Sequence, residues 1–358
     1  MEEARPDLRP ALQTWLTEHL EGTQRVEVGE FDRPHGGFSA ETIIVPATVT
    51  RDGVTNEERF VLRLETAEDA VYPQQVDGLT TEVDIQYRVM QQVQQHGRVP
   101  IAPLLGYEAD TSVLGTEFFV MGFVDGEIPG ESPMYTIDGF FTECDPAQRR
   151  TLLDNGVGVM ADIHAVDLDA ADLGWLRQPG EEPDARRQLR LWSEYAAREL
   201  GDREHPSMTN TFAWLDANLP PASEPVLNWG DARPGNVIWQ EFAPACVTDF
   251  EAASIAPREV DLGWWLMFDH WAHETIGAPR LDGEPTRDEQ RQRYLEATGL
   301  GDIDTYPWEV FAAARYCAIV VRVMNRLVQR GDLPPDHTIW LDNPASVCLD
   351  LYRAEGGL

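Results

Sequence analysis

The stretch Leu227-Asn228-Trp229-Gly230-Asp231-Ala232-Arg233-Pro234-Gly235-Asn236-Val237-Ile238-Trp239 constrains this chain more than any other. An apolar run ends in a Gly-Asp turn, a loop with Arg, Pro and Gly follows, and Asn236 opens a second strand-like run. Val247-Thr248-Asp249-Phe250-Glu251 supplies a third run ending on Asp249, and Glu259-Val260-Asp261-Leu262-Gly263 comes next. Hairpin pairing would bring Asp231, Asn236 and Asp249 to one end of a small sheet. Phosphoryl transfer needs such a set. One carboxylate orients the attacking hydroxyl and takes its proton, while a second carboxylate and an amide oxygen hold Mg²⁺ against the phosphates. A lone Gly-Asp is an ordinary turn dipeptide; the ordered set carries the argument.

The rest of the chain divides in two. Residues 7–20 place Leu8, Leu12, Trp15, Leu16 and Leu20 at helical spacing. Strand-like runs follow at Val26–Asp32, Thr42–Thr50 and Phe60–Leu64, a helical period returns over 81–95, and Leu104–Tyr107 and Phe118–Val124 read as strands. Pro and Gly cluster between Asp125 and Pro133, as in a linker. Helical patterns then dominate: Ala147–Val166, Ala185–Leu200, Met208–Leu219, Val260–His273, Arg287–Ala297, Trp308–Arg330 and Pro344–Arg353. The expected fold class is α+β, with a small β-rich lobe over residues 1–122 and a larger, mostly helical lobe over 123–358.

Gly230-Asp231-x-x-x-x-Asn236 followed by Asp249 resembles the catalytic loop and metal motif of the aminoglycoside phosphotransferase-like kinases, which have the bilobal protein-kinase-like fold. The resemblance runs over roughly residues 25–330. It implies ATP and Mg²⁺ as cofactors, Asp231 as catalytic base, Asn236 and Asp249 as metal ligands, and Asp261 as a brace for the catalytic loop. Many relatives carry His before the Gly-Asp pair, where this chain has Trp229. The Val-Leu-Arg strand, Gln-Tyr-Arg-Val-Met helix and Asp-Leu-Gly-Trp-Trp segment look closest to the kinase-like portions of some acyl-CoA dehydrogenase family proteins, and less close to drug-resistance enzymes.

The same resemblance assigns sites in the small lobe. His35-Gly36-Gly37-Phe38-Ser39 falls where the family has its phosphate-covering loop, so Gly36, Gly37 and Ser39 are candidate nucleotide contacts. Arg63, in Phe60-Val61-Leu62-Arg63-Leu64, takes the place of the cation on the α- and β-phosphates. Protein kinases use Lys there, and this chain contains no lysine. An acid on the next helix should orient that cation. Glu82 is favoured for charge, and Gln86 stands where many relatives have Glu. Adenine would lie against Met121 and Phe123 and bond backbone groups near Gly122–Val124.

Composition limits the partners. A net charge of −34 leaves nothing to neutralise a run of phosphates, so nucleic acid is not expected. No run of apolar residues spans a bilayer, and the acidic start of the chain does not read as a signal peptide. Cys144, Cys246, Cys317 and Cys348 form no C-x-x-C pair and suit reduced thiols in a cytoplasmic protein. His270 and His273, one helical turn apart, lack the H-E-x-x-H pattern of a zinc site; lining a substrate cleft or a solvated helix face is the preferred expectation. The expected acceptor is a small hydroxyl compound. An aminocyclitol suits the acidic composition, and a hydroxyacyl thioester or other metabolite suits the branch resemblance. A nucleotide-binding regulator without catalysis is the expectation from another class.

Overall fold

The computed structural model describes residues 7–34 and 40–358. Helix α1 (Arg9–His19) puts Leu12, Trp15 and Leu16 on one face. That face covers an antiparallel sheet of β1 (Thr23–Val28), β2 (Glu41–Arg51), β3 (Val54–Leu64), β4 (Leu104–Glu108) and β5 (Phe118–Gly122), ordered β1-β2-β3-β5-β4. Strand alternation sorts the side chains. Ile43, Val45 and Val49 of β2, Phe60, Leu62 and Leu64 of β3, and Phe118 and Val120 of β5 pack beneath α1. Phe119 and Met121 face the other way and join α2 (Glu82–His96) in the main core. Arg63, between Leu62 and Leu64, shares that second face by the same period.

Two strand expectations shift. The first strand is Thr23–Val28, and Asp32 makes only an isolated bridge to Ile44. β3 begins at Val54, because Asp52 (φ 50°) and Gly53 (φ +76°) form a two-residue hairpin turn that zips six further, mostly polar, residues onto β2.

The larger lobe holds α3 (Phe140–Glu143), α4 (Pro146–His164), α5 (Ala185–Leu200), α6 (Pro206–Asn218), α7 (Glu259–His270), α8 (Arg287–Thr298), α9 (Tyr306–Arg330) and α10 (Pro344–Gly356). Asp145 starts α4 with a capping box shared with Gln148, and Thr286 starts α8 with one shared with Glu289. Gly263 lets α7 lie directly on α9: a Cβ there would stand 2.6 Å from the Trp308 carbonyl. Short strands β6 (Pro225–Asn228), β7 (Val237–Gln240), β8 (Ala243–Val247) and β9 (Ser254–Pro257) carry the loops of the site. β7 and β8 form a hairpin, and β6 pairs with β9, a four-residue strand whose sequence shows no alternation.

The connection between β3 and α2, residues 65–81, lies against the larger lobe. Arg322 donates to the carbonyls of Asp69 (3.1 Å) and Ala70 (3.2 Å), and Tyr195 to that of Val71 (2.5 Å). Arg187 donates to the Gln75 carbonyl, and Arg330 pairs with Glu68 through both carboxylate oxygens (2.6 and 2.7 Å). Among the described residues no helix is long and apolar enough to cross a membrane. All four cysteines are buried and free.

Candidate active site

β6 ends at Asn228, and the chain turns sharply at Gly230 (φ +92°). Only glycine fits there, since a Cβ would fall 2.1 Å from the Ala252 carbonyl oxygen. Asp261, fully buried in the first turn of α7, holds this turn from below. It accepts the Trp229 N–H (2.6 Å) and the Gly230 N–H (2.9 Å). His164 of α4 donates to it through Nε2 (3.1 Å), while the His164 Nδ1 accepts from the Tyr294 hydroxyl (2.6 Å). Trp229 braces the loop in its own way, its indole N–H bonding the carbonyl of Thr248 (2.7 Å).

The turn delivers Asp231 into a pocket where it is 4% exposed. Its Oδ1 accepts from the Trp264 indole (2.8 Å), its Oδ2 from the Asn236 amide (2.8 Å), and both lie 3.0 Å from the Arg233 Nε. Burial pushes the Asp231 carboxyl up to about 6, against the pull of its Trp264 and Asn236 donors. Thr248 bonds back to the Asn236 carbonyl (3.0 Å), which fixes Asp249 beside Asn236. Asp249 has φ 56°, a strained backbone of the kind concentrated at functional sites. Its charge is felt at Asp231, whose proton affinity it raises. Asp231, Asn236 and Asp249 therefore stand together.

Arg63 reaches this cluster from β3. It is 9% exposed, donates to the Thr42 hydroxyl (2.6 Å), and pairs with Asp249 (3.5 Å) and Glu251 (3.7 Å). The expected partnership with Glu82 needs correction. Arg63 makes no ion pair with Glu82 among the described residues, although its charge is felt at Glu82; the acids within ion-pair distance come from the segment after β8. Gln86 enters instead by donating to Glu251 (3.1 Å), so the helix acts on the cation through an intermediary. Glu82 is buried, its carboxylate oxygens lack hydrogen-bond partners, and burial with Glu65 nearby pushes its carboxyl up to about 7.

At the other end of the cleft, Met121 is buried in the main core. The Phe123 ring lies under the Arg59 guanidinium (3.9 Å). The two line up with Pro46 and Asp125 around a recess of about 440 Å³. The N–H groups of Gly122 and Phe123 are already bonded to the carbonyls of Pro103 (2.8 Å) and Arg59 (3.0 Å). Adenine could use them only by displacing those bonds, which narrows the expected backbone contacts. Gly36, Gly37 and Ser39 lie outside the described residues.

An aromatic wall, buried at Trp264 and half-buried at Phe268, Trp271 and Tyr316, adjoins Asp231 on the larger lobe. Trp264, Phe268, Trp271 and Tyr316 make ring contacts of 5.0–6.1 Å, and the Arg233 guanidinium sits over Phe268 (5.4 Å) while pairing with Glu131. The expectation that His270 and His273 line a substrate cleft or a solvated helix face fails for both, and Asp269 beside them is buried as well. Asp269 is buried against Arg280 (2.5 Å) and Gln290 (2.6 Å), His273 against Glu284 (2.9 Å), and His270 is stacked on Tyr352 (4.3 Å).

Sequence reasoning missed Arg233, Glu251 and Trp264. Arg233, a lone cation two residues past Asp231, was discoverable from its position. Glu251 could have been suspected as a second acid after Asp249. Trp264 carries no local signal, because its partner is 33 residues away.

Asn236 and Asp249 offer an amide oxygen and a carboxylate, the hard donors Mg²⁺ prefers, and leave further positions to phosphate and water. Among the described residues the buried Arg63 Nε and Nη2 make no hydrogen bond, Nη2 facing Asp249 and Glu251 only at ion-pair distance, and an anion could take up these donors.

Known proteins resemble this chain in sequence and fold. The model of the phosphotransferase enzyme family matches residues 35–308. The chain is 34% identical over 195 residues to acyl-CoA dehydrogenase family member 11 of Gallus gallus, covering 53% of this chain and 23% of that protein. It is 28% identical over 248 residues to the Homo sapiens protein of that name, covering 66% and 30%. The chain thus spans less than a third of these relatives. Among solved structures, a proposed aminoglycoside phosphotransferase from Ralstonia eutropha superposes with a TM-score of 0.71 at 22% identity, covering 96% of this chain and 98% of its own. Macrolide 2'-phosphotransferase from Brachybacterium faecium gives 0.55 at 18% identity, covering 96% and 98%. At such identities these likenesses show the kinase-like fold alone. With the family model spanning most of its length, the chain belongs to the phosphotransferase enzyme family.

Proposed function

We propose that this protein transfers the γ-phosphoryl group of ATP to a hydroxyl of a small molecule. The observation that carries the reading is the buried edge of Arg63, which among the described residues makes ion pairs with Asp249 and Glu251 at 3.5 and 3.7 Å but no hydrogen bond from Nε or Nη2. A triphosphate with Mg²⁺ satisfies Arg63, Asn236 and Asp249 at once. In this reading Arg63 binds phosphate oxygens, held by Asp249 and Glu251, with Gln86 steadying Glu251. Asn236 and Asp249 would hold Mg²⁺, which would supply charge neutralisation at the phosphates. Asp231 accepts the acceptor's proton, with a carboxyl near 6 that is ionised at neutral pH yet basic enough to serve. Arg233, bonded to both Asp231 oxygens, fixes the carboxylate plane toward the cleft.

For the acceptor, the aminoglycosides and macrolides named for the solved relatives keep a cationic sugar in view. A second reading is favoured by the aromatic wall and by the burial of Asp269 and Glu284 in ion pairs. An acceptor with an apolar body, such as a hydroxyacyl thioester, suits that surface better than a polycation does. Four buried free thiols suit a reducing, cytoplasmic setting.

The test is Mg²⁺-dependent ATP consumption across hydroxyacyl thioesters and aminocyclitols. Asp231→Ala should lower kcat by about 10²-fold or more with nucleotide affinity nearly unchanged, and Asp249→Ala should weaken Mg²⁺-ATP binding. Full turnover by Asp231→Ala would refute its role as base. Tight ATP binding without turnover for any acceptor would favour a regulator.

A further inference from the structure

The chain carries 28 fixed side-chain cations, all arginine, against 62 acidic residues. Guanidinium groups in such a chain should find carboxylates, and most do. Three that do not meet in one place. Arg98 just past α2, Arg258 at the start of α7 and Arg293 within α8 line a single cavity of about 410 Å³, with Asp162 its one carboxylate. Among the described residues none of the three lies within ion-pair distance, 4.0 Å, of an acid. The Arg258 guanidinium lies against the Tyr294 hydroxyl, but among the described residues its buried Nε has no hydrogen-bond partner. Leaving a guanidinium edge dry and unpaired is unfavourable, and a chain with so many acids had ready means of avoiding it.

We propose that this cavity binds a small oxyanion of two or more charges, phosphate or a phosphate ester, at a site separate from the nucleotide cleft. The size argues for a small ligand, since three arginines from different elements line one concavity of about 410 Å³. Arginine forks match the paired oxygens of phosphate. A net charge of −34 disfavours a nucleic acid at the same surface. The cavity lies on the far side of the catalytic-loop brace: His164, part of its lining, bonds Asp261, which holds the Trp229 and Gly230 N–H groups. Arg98 follows the small-lobe helix, whereas Arg258 and Arg293 belong to the larger lobe. A bound anion therefore draws the end of α2 toward α7 and α8.

The experiment titrates the whole chain with inorganic phosphate and with pyrophosphate by calorimetry. EDTA is present, and ionic strength is held constant with NaCl. Saturable binding is expected, tighter for pyrophosphate. Arg258→Gln and Arg293→Gln should each weaken it by about tenfold or more, the loss expected for one charged hydrogen bond. Arg63→Gln, in the nucleotide cleft, should leave it unchanged. Arg98→Gln alters an exposed side chain and should also weaken binding, which keeps the test valid if Arg258→Gln fails to fold. The absence of saturable binding overturns the proposal. So does binding that is lost in Arg63→Gln and retained in Arg98→Gln and Arg293→Gln.

Discussion

Asp261→Asn should destabilise this protein severely while changing only one atom. The carboxylate is fully buried and accepts three hydrogen bonds, at 2.6 Å from Trp229 N–H, 2.9 Å from Gly230 N–H and 3.1 Å from His164. An asparagine keeps one acceptor oxygen. Whichever way its amide lies, the NH₂ group confronts a backbone N–H. That donor is left unsatisfied at a cost of about 1–3 kcal/mol, and the remaining bonds fall from charged to neutral strength, losing roughly 1 kcal/mol each. The loop cannot relax away, because Gly230 is fixed at φ +92° against Ala252. The sum is ~3–5 kcal/mol, a large part of the 5–15 or so available to a folded domain. Urea unfolding followed by tryptophan fluorescence should show a midpoint lower by roughly 1–2 M, with a slope of about 2–3 kcal/mol/M. A loss under about 1 kcal/mol, at an unchanged slope, would refute the assignment of the loop's anchorage to this carboxylate.

Gly263→Ala should cost about 1–3 kcal/mol by forcing α7 off the Trp308 backbone, whereas Gly158→Ala in α4, with open space around its Cβ, should be neutral or stabilising; equal effects in urea melts would contradict this. Burial holds the His270 imidazole down at about 4 from its ordinary 6.5. The folded state keeps it neutral, so its contribution is complete above about pH 6.5 and is lost as pH falls toward 4. That loss is on the order of 3 kcal/mol. His270→Phe should flatten the stability profile over that window, and an unchanged profile would show that another group dominates. Trp264→Phe removes a donor to ionised Asp231, so the acid limb of ATP turnover should move to higher pH from about 6; no movement, or movement downward, would count against the contact.

Much of this was legible in the sequence because it is local. The Gly-Asp turn, the five-residue step from Asp231 to Asn236 and the run ending at Asp249 lie within a few dozen residues, and short strands can only fold them one way. Helix periods located α4, α5, α8 and α9 because each buries a continuous face. The missing parts depend on contacts between distant segments. Glu82 carries the better charge for Arg63, yet the acids that reach that cation come from 249 and 251. Phe123 and the Gly122 N–H looked free as a sequence, but the N–H is taken by Pro103. His270 and His273 looked like the lining of a cleft or a solvated helix face because charge suggests exposure. His273 and the neighbouring Asp269 are instead paired with residues from 280 to 290, which no period announces.

Residues 65–81 join the small lobe to the larger one at a second place, apart from the covalent passage after Gly122. A body attached at two separated points retains one easy rotation, about the line through them. Spreading the lobes at the strapped edge would require the Glu68–Arg330 pair and the carbonyl bonds at 69, 70, 71 and 75 to give way together. Any movement of the cleft that leaves these bonds intact is accordingly a swing about that line, with the widest travel at the margin farthest from both attachments.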